Sequence, residues 1–260
     1  MATKYTILSK KDAKLLEEAI VRYGRIITFK QLQKLLKDVY ESNQAIRNRI
    51  SFLIKSGWLV RIKNGLYVII TDISSLSFND ISGLSIAQAL NRDSYISFEN
   101  ALQHYGMFDQ MLTTVDAVTY KRARKYNMQS IKIRFFKIKK GLYFGFNRQR
   151  SDVGLVNIAS REKALLDMLY FRSGNYNISL IWEKMKEYKQ DIDLLFLKKS
   201  AIKFGIGTIR KMGLLLDTLG VNTEDLYLHI AGNRGYDRMT KESRIFNSKW
   251  RVYFDDKIII

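Results

Sequence analysis

The chain contains no cysteine, no proline and only two histidines in 260 residues. Lack of cysteine excludes disulfides and thiolate metal sites. With only His104 and His229, a histidine-rich metal site is not expected either, and no cofactor is expected. Without proline, turns must be made with Gly, Asn, Asp or Ser. No stretch approaches the ~18 apolar residues of a membrane span. The start, Met1-Ala2-Thr3-Lys4-Tyr5-Thr6, runs into charged residues with no apolar leader core, which predicts a cytoplasmic protein without membrane contact. Acidic residues are also scarce: 25 against 44 lysines and arginines, a net charge of +19. Such a surplus points to an anionic partner.

The charge is unevenly spread. Residues 1–70 hold 14 basic and 5 acidic groups, and residues 113–151 hold 11 and 1. Between them, 71–112 hold 1 and 5. The polar run Thr71-Asp72-Ile73-Ser74-Ser75-Leu76-Ser77 opens this acidic stretch and marks a domain boundary. Two domains are expected, over 1–70 and 80–260, in an α+β fold: a winged helix-turn-helix followed by a larger mixed α/β domain.

Ser9 is the expected N-cap of a first helix, with Leu16, Ala19, Ile20 and Tyr23 at helical spacing and Gly24 as its stop. Thr28-Phe29-Lys30-Gln31 has the form of a capping box. Leu32, Leu35, Leu36 and Val39 are the expected apolar stripe of the second helix. Ser42 caps a third, in which Ile46, Ile50, Leu53 and Ile54 form the buried face. Its outward stripe is Gln44, Arg47, Asn48, Ser51 and Lys55, with no acid. These side chains can hydrogen-bond base edges in a major groove. Trp58–Lys63 and Leu66–Ile70 read as strands joined by Asn64-Gly65, a hairpin signal that asks for positive φ at both turn residues. Three helices and a basic ribbon predict a winged helix-turn-helix that binds duplex DNA. Arg49, Arg61, Lys63 and Asn64 are the residues expected on phosphate and in the wing.

In the larger region the spacing predicts helices near 84–90 and 98–105, then strands over 113–120, 131–139, 142–146 and 153–159. Helices follow after Ser160 and over 178–188, 194–204, 208–219 and 224–230, with a last strand at 250–254. A second basic surface is expected from Lys121, Arg122, Arg124, Lys125, Lys132, Arg134 and Lys139, as a further phosphate contact, an RNA or acidic-partner site, or a solvated sheet face. No phosphate-binding loop is present; Gly205-Ile206-Gly207 lacks the later glycine of a dinucleotide turn. Asp152, Glu162 and Asp167 would be the acids of a nuclease-like centre, but a five-residue separation puts Glu162 and Asp167 on different helix faces. The plainer reading makes Glu162 a first-turn dipole partner and Asp167 a surface charge. His104 reads as a helix C-terminal residue and His229 as a packed one. No enzyme activity is expected.

Several runs resemble AbiEi-type antitoxins: Ser56-Gly57-Trp58-Leu59-Val60-Arg61-Ile62-Lys63-Asn64-Gly65-Leu66-Tyr67, Tyr95-Ile96-Ser97-Phe98-Glu99-Asn100-Ala101-Leu102-Gln103-His104-Tyr105-Gly106, Ser160-Arg161-Glu162-Lys163-Ala164-Leu165-Leu166-Asp167, and more weakly the strand at Trp250. They keep the family's order over most of residues 9–254. The resemblance implies a repressor that binds inverted repeats in its own promoter. It also implies that the C-terminal region counters a nucleotidyltransferase-like toxin encoded beside it, without a tight complex, in a type IV system of abortive phage defence. The alternatives are a plain winged-helix regulator without a toxin, a DNA-targeted nuclease-like enzyme, and a module that binds an acidic protein.

Overall fold

Three side-chain caps open the N-terminal helices in the computed structural model, which describes residues 8–71, 82–128, 131–151 and 153–255. Ser9 Oγ accepts the Asp12 amide at 3.2 Å and starts α1 (Lys10–Tyr23). Thr28 and Gln31 close the full capping box of α2 (Phe29–Leu36). Ser42 Oγ accepts the Ala45 amide at 3.1 Å and starts α3 (Asn43–Lys55). Each cap contributes about 1 kcal/mol by satisfying an otherwise orphaned amide. Leu16, Ala19, Leu32, Leu36, Ile46, Ile50 and Leu53 are buried between the helices. Val39, expected on the buried stripe, lies beyond the end of α2 and is exposed.

The sheet beside these helices has three strands, not the two expected. β1 (Ile26–Thr28) is too short to carry a readable period. It pairs antiparallel with β3 (Leu66–Ile69), which also pairs with β2 (Leu59–Lys63). β3 is therefore central, and all four of its residues are buried. The Asn64-Gly65 turn departs from the expected geometry: positive φ occurs at Gly65 (73°) and not at Asn64.

The boundary assigned to the polar run after Ile70 lies, except for Thr71, outside the described residues. Beyond it come α4 (Gly83–Leu90), β4 (Ser94–Ile96), α5 (Phe98–His104), β5 (Thr114–Thr119), β6 (Arg124–Met128), β7 (Ile131–Lys137), β8 (Phe146–Ser151) and β9 (Gly154–Ala159). The strands form one mixed sheet in the order β6-β7-β5-β4-β9-β8. The expected strand at 142–146 is instead a 3₁₀ turn at Lys140–Leu142, and β8 begins only at Phe146. Gly145, just before β8, has φ 74° and a Cβ there would sit 3.1 Å from Lys163 Cβ, so any side chain would be strained and crowded. Helices α6 (Arg161–Phe171), α7 (Asn175–Glu187), α8 (Leu194–Phe204), α9 (Ile206–Thr218) and α10 (Glu224–Leu228) follow. Three short strands end the described chain: β10 (Asp237–Arg238), β11 (Ile245–Asn247) and β12 (Val252–Phe254). No helix among the described residues is long and apolar enough to cross a membrane.

α6 is buried on nearly every side, from Glu162 to Leu169. Asp167 is thus not the surface charge that its sequence position suggests. It forms a wholly buried ion pair with Lys163 one turn earlier. Asp167 Oδ2 also accepts from Ser97 Oγ at 2.7 Å and Tyr95 Oη at 3.0 Å, while Lys163 Nζ donates to Tyr95 Oη at 2.6 Å. Burial pushes the Lys163 pKa down and the Asp167 pKa up, against their mutual attraction. Glu162 accepts the Asp193 amide at 2.9 Å and so ties α6 to the start of α8. His104 ends α5 as expected, whereas His229 is exposed and not packed.

Breaking the buried pair is expected to be costly. Asp167→Ala strands the Lys163 ammonium and should lose about 3–5 kcal/mol in urea unfolding. The double variant Lys163→Met/Asp167→Leu should lose far less than the two single changes together. Additive losses would mean that the charges do not act as a pair.

Candidate nucleic-acid interface

α3 and the β2–β3 hairpin meet at a groove. Ile46, Ile50 and Leu53 turn one side of α3 inward, which leaves Gln44, Arg47, Asn48, Ser51 and Lys55 exposed. The hairpin is fixed beside them: β3 pairs with β1, and the Phe29 amide at the start of α2 donates to the Gly65 carbonyl at 2.8 Å. The resulting groove of about 690 Å³ is lined by Thr28, Phe29 and Lys30 of the β1–α2 corner, Arg47, Ile50 and Ser51 of α3, and Arg61, Asn64, Gly65 and Tyr67 of the hairpin. No lining residue is acidic. Arg47 and Ser51 of the expected stripe are thus brought together with Arg61 and Asn64 of the expected wing. Gln44, Asn48 and Lys55 share the exposed helix face but do not line the groove, and Gln44 Nε2 donates to Asn48 Oδ1 at 2.9 Å. Sequence reasoning missed Lys30, although its place inside the capping box put it at the mouth of α2.

Two residues expected on phosphate, Arg49 and Lys63, and one expected on the second basic surface, Arg134, are used within the protein. Arg49 turns toward α1, donates from Nε to Asp12 Oδ1 at 2.7 Å and forms an ion pair with Asp12, which is itself buried. This hydrogen bond raises the Arg49 pKa above its ordinary value. Arg49 therefore ties α1 to α3. Its position three residues after Ile46 puts it on the flank of the buried face, where an inward carboxylate can reach it. Lys63 Nζ donates to the Leu90 carbonyl at 2.9 Å, at the end of α4. The hairpin is anchored there to the larger region. Arg134 pairs bidentately with Asp116, both bonds at 2.6 Å, and Arg172 joins the same carboxylate.

The second basic block does not form one surface. In the β6–β7 ladder Lys125 stands opposite Arg134, and Asn127 opposite Lys132. Opposed residues share a face, so Lys125, Lys132 and Arg134 lie on one side of the sheet. Arg124 stands opposite Phe135, on the other side. There Lys121, Arg122 and Arg124 line a small pocket with Asn91, Tyr126 and Phe135. Leu90, the residue that holds Lys63, borders the same pocket. Lys139 is exposed just after β7. Strict alternation could have shown this split, but β6 itself was not legible in the sequence.

Of the acids considered for a nuclease-like centre, Asp152 lies outside the described residues. Glu162 and Asp167 are engaged as described above. Among the described residues no three His, Cys, Asp or Glu side chains are gathered as metal ligands.

The roles of the two neighbouring arginines should separate experimentally. Arg49→Ala is expected to lower stability by about 2 kcal/mol, the cost of leaving the buried Asp12 carboxylate with the Ser9 hydroxyl but no cation, as read by thermal or urea unfolding. Arg47→Ala should leave stability within about 0.5 kcal/mol. An Arg49 variant as stable as the parent would refute the tie.

No family model and no curated protein matches the chain. Among solved structures it is similar to the RV2827C protein from Mycobacterium tuberculosis, with a TM-score of 0.64 at 13% identity, over 98% of this chain and 94% of that one. The likeness shows a shared fold of mixed α and β architecture.

Proposed function

We propose that the chain is a winged helix-turn-helix regulator that binds duplex DNA with α3 in the major groove and the β2–β3 hairpin along the phosphates. One observation carries the reading: Arg47 and Ser51 of the helix and Arg61 and Asn64 of the hairpin line a single groove without a carboxylate. The element order α1-β1-α2-α3-β2-β3 supports the winged-helix reading. A major groove about 12 Å wide admits one helix, and Gln, Asn, Ser and Arg are the side chains that pair with its base edges. Arg61 and Lys30 hold the register on phosphate. Lys121, Arg122 and Arg124, beside the anchored hairpin, meet phosphates further along the duplex.

The operator is expected to be an inverted repeat in the chain's own promoter, read in the cytoplasm. The second part of the proposal rests on the resemblance to AbiEi-type antitoxins. The chain would be the antitoxin of a type IV system, opposing a nucleotidyltransferase-like toxin without a tight complex and without catalysis of its own. Two of the segments that carry this resemblance meet in space, because Tyr95 and Ser97 of one bond Lys163 and Asp167 of the other.

Fluorescence anisotropy with promoter duplex tests the first part. Arg47→Ala and Asn48→Ala should each cost roughly 1–3 kcal/mol of sequence-specific binding. Arg61→Ala should weaken binding to every duplex and flatten the salt dependence by about one unit of slope. Parent-like binding by both classes would refute the groove as the DNA site. For the second part, co-expression should relieve growth arrest by the neighbouring toxin although the two proteins do not co-purify. Persistent arrest would reduce the proposal to a plain regulator.

A further inference from the structure

The three short strands at the C-terminal end build a sheet with two unlike faces. β12 lies in the middle, parallel to β10 and antiparallel to β11. One face packs inward, where Val252 is wholly buried and Trp250 fills the space above Gly213 of α9. The other face is aromatic and cationic. Tyr253 stands opposite Phe246 on one side and Arg238 on the other, so these three side chains project together. The Phe246 and Tyr253 rings lie 4.9 Å apart, and the Tyr236 ring stands 5.6 Å from Tyr253. Arg238 lies 4.1 Å over the Tyr253 ring and Arg251 6.0 Å from the Phe246 ring. Tyr236 is 60% exposed and Phe246 42%, so these rings are open to a partner and are not part of the core.

The arginines are held in place. Arg238 Nη1 donates to the Ser243 carbonyl at 2.6 Å, and Arg251 donates to the carbonyls of Gly235 and Arg234 at 2.8 and 2.6 Å. A guanidinium has five N–H donors, so each keeps donors beyond these bonds. Arg234, Lys241 and Arg244 of the same segments are exposed, whereas Lys249 is paired with Asp217 beside Trp250. Nearby carboxylates are engaged: Asp237 with Arg210, and Glu242 with Asn175.

We infer that this face binds an unpaired stretch of RNA, with bases stacked on Tyr236 and Phe246 and phosphates held by the surrounding arginines. Aromatic faces stack any base, and arginine adds both charge and a planar surface. A duplex offers no such contact, because its bases already stack on one another. An acidic peptide would meet the cations but leave the rings unused, and an apolar partner would leave the cations unpaired. Unpaired bases are standing features of folded RNA, so RNA is the expected occupant and single-stranded DNA the competitor that the test includes. The site lies on different elements from the α3 groove and does not rest on the DNA-binding reading.

The test is an anisotropy titration of the full chain with a labelled ten-nucleotide oligouridine. The parent and Arg47→Ala should bind alike, which separates this site from the α3 groove. Tyr236→Ala and Phe246→Ala should each weaken binding about tenfold, and Phe246→Tyr should retain parent affinity because the ring stays. Thermal melts should match the parent, since both rings are exposed. No binding by the parent, parent-like binding by both alanine variants, or tighter binding of oligodeoxyuridine or duplex RNA would overturn the inference.

Discussion

A single main-chain hydrogen bond, from the Phe29 amide to the Gly65 carbonyl, sets the geometry on which the candidate interface depends. It joins the first turn of α2 to the turn of the hairpin. The amide would otherwise be an orphan donor at a helix start, and the carbonyl would point into solvent from a tight turn. Together with the β1–β3 ladder, the bond holds the hairpin against the same corner that positions α3. Arg47 and Arg61, fourteen positions apart in sequence, thereby become neighbours across one groove. That junction adds to the direct packing of α3 on β2 in fixing how the two basic elements lie beside one groove.

The larger region relies on polar contacts where its size would lead one to expect apolar ones. Lys163 and Asp167 are enclosed among aromatic rings, with the ammonium within 4.9–5.6 Å of Tyr95, Phe144 and Phe204. Buried charges of this kind are acceptable only when each has a partner. Here the partners are Tyr95 of β4 and Ser97 just after it, so the pair also ties that strand to α6. Asp116, Arg134, Arg172 and Glu99 form a second network, which joins β5 and β7 to the ends of α5 and α6. The two networks consume charge that composition alone would assign to solvent or to a ligand.

Sequence reading succeeded where a local rule decides the outcome. Ser9, Thr28 and Ser42 cap the helices they precede because capping needs only a side-chain oxygen and a nearby amide. The exposed stripe of α3 follows from helical periodicity and the placement of Ile46 and Ile50. It failed where a distant partner decides. Nothing near Arg49 announces Asp12, nothing near Lys63 announces Leu90, and Asp167 differs from a surface i,i+4 partner only through what β4, Ser97 and the helices packed on α6 place around it. Short strands such as β1 and β4, each of three residues, are too brief to show a period and exist because a neighbouring strand pairs with them. Charge counted along the chain likewise could not show that Arg124 and Lys125 leave their strand on opposite sides.

The tether from Lys63 to Leu90 has a mechanical consequence. A hairpin gripped next to its tip by the last residue of α4 does not move as an independent arm. The bond ties the end of the ribbon to the end of that helix and so favours one placement of the hairpin beside Arg47. The N-terminal helices and the mixed sheet are thus joined through space at Lys63 as well as along the chain between them.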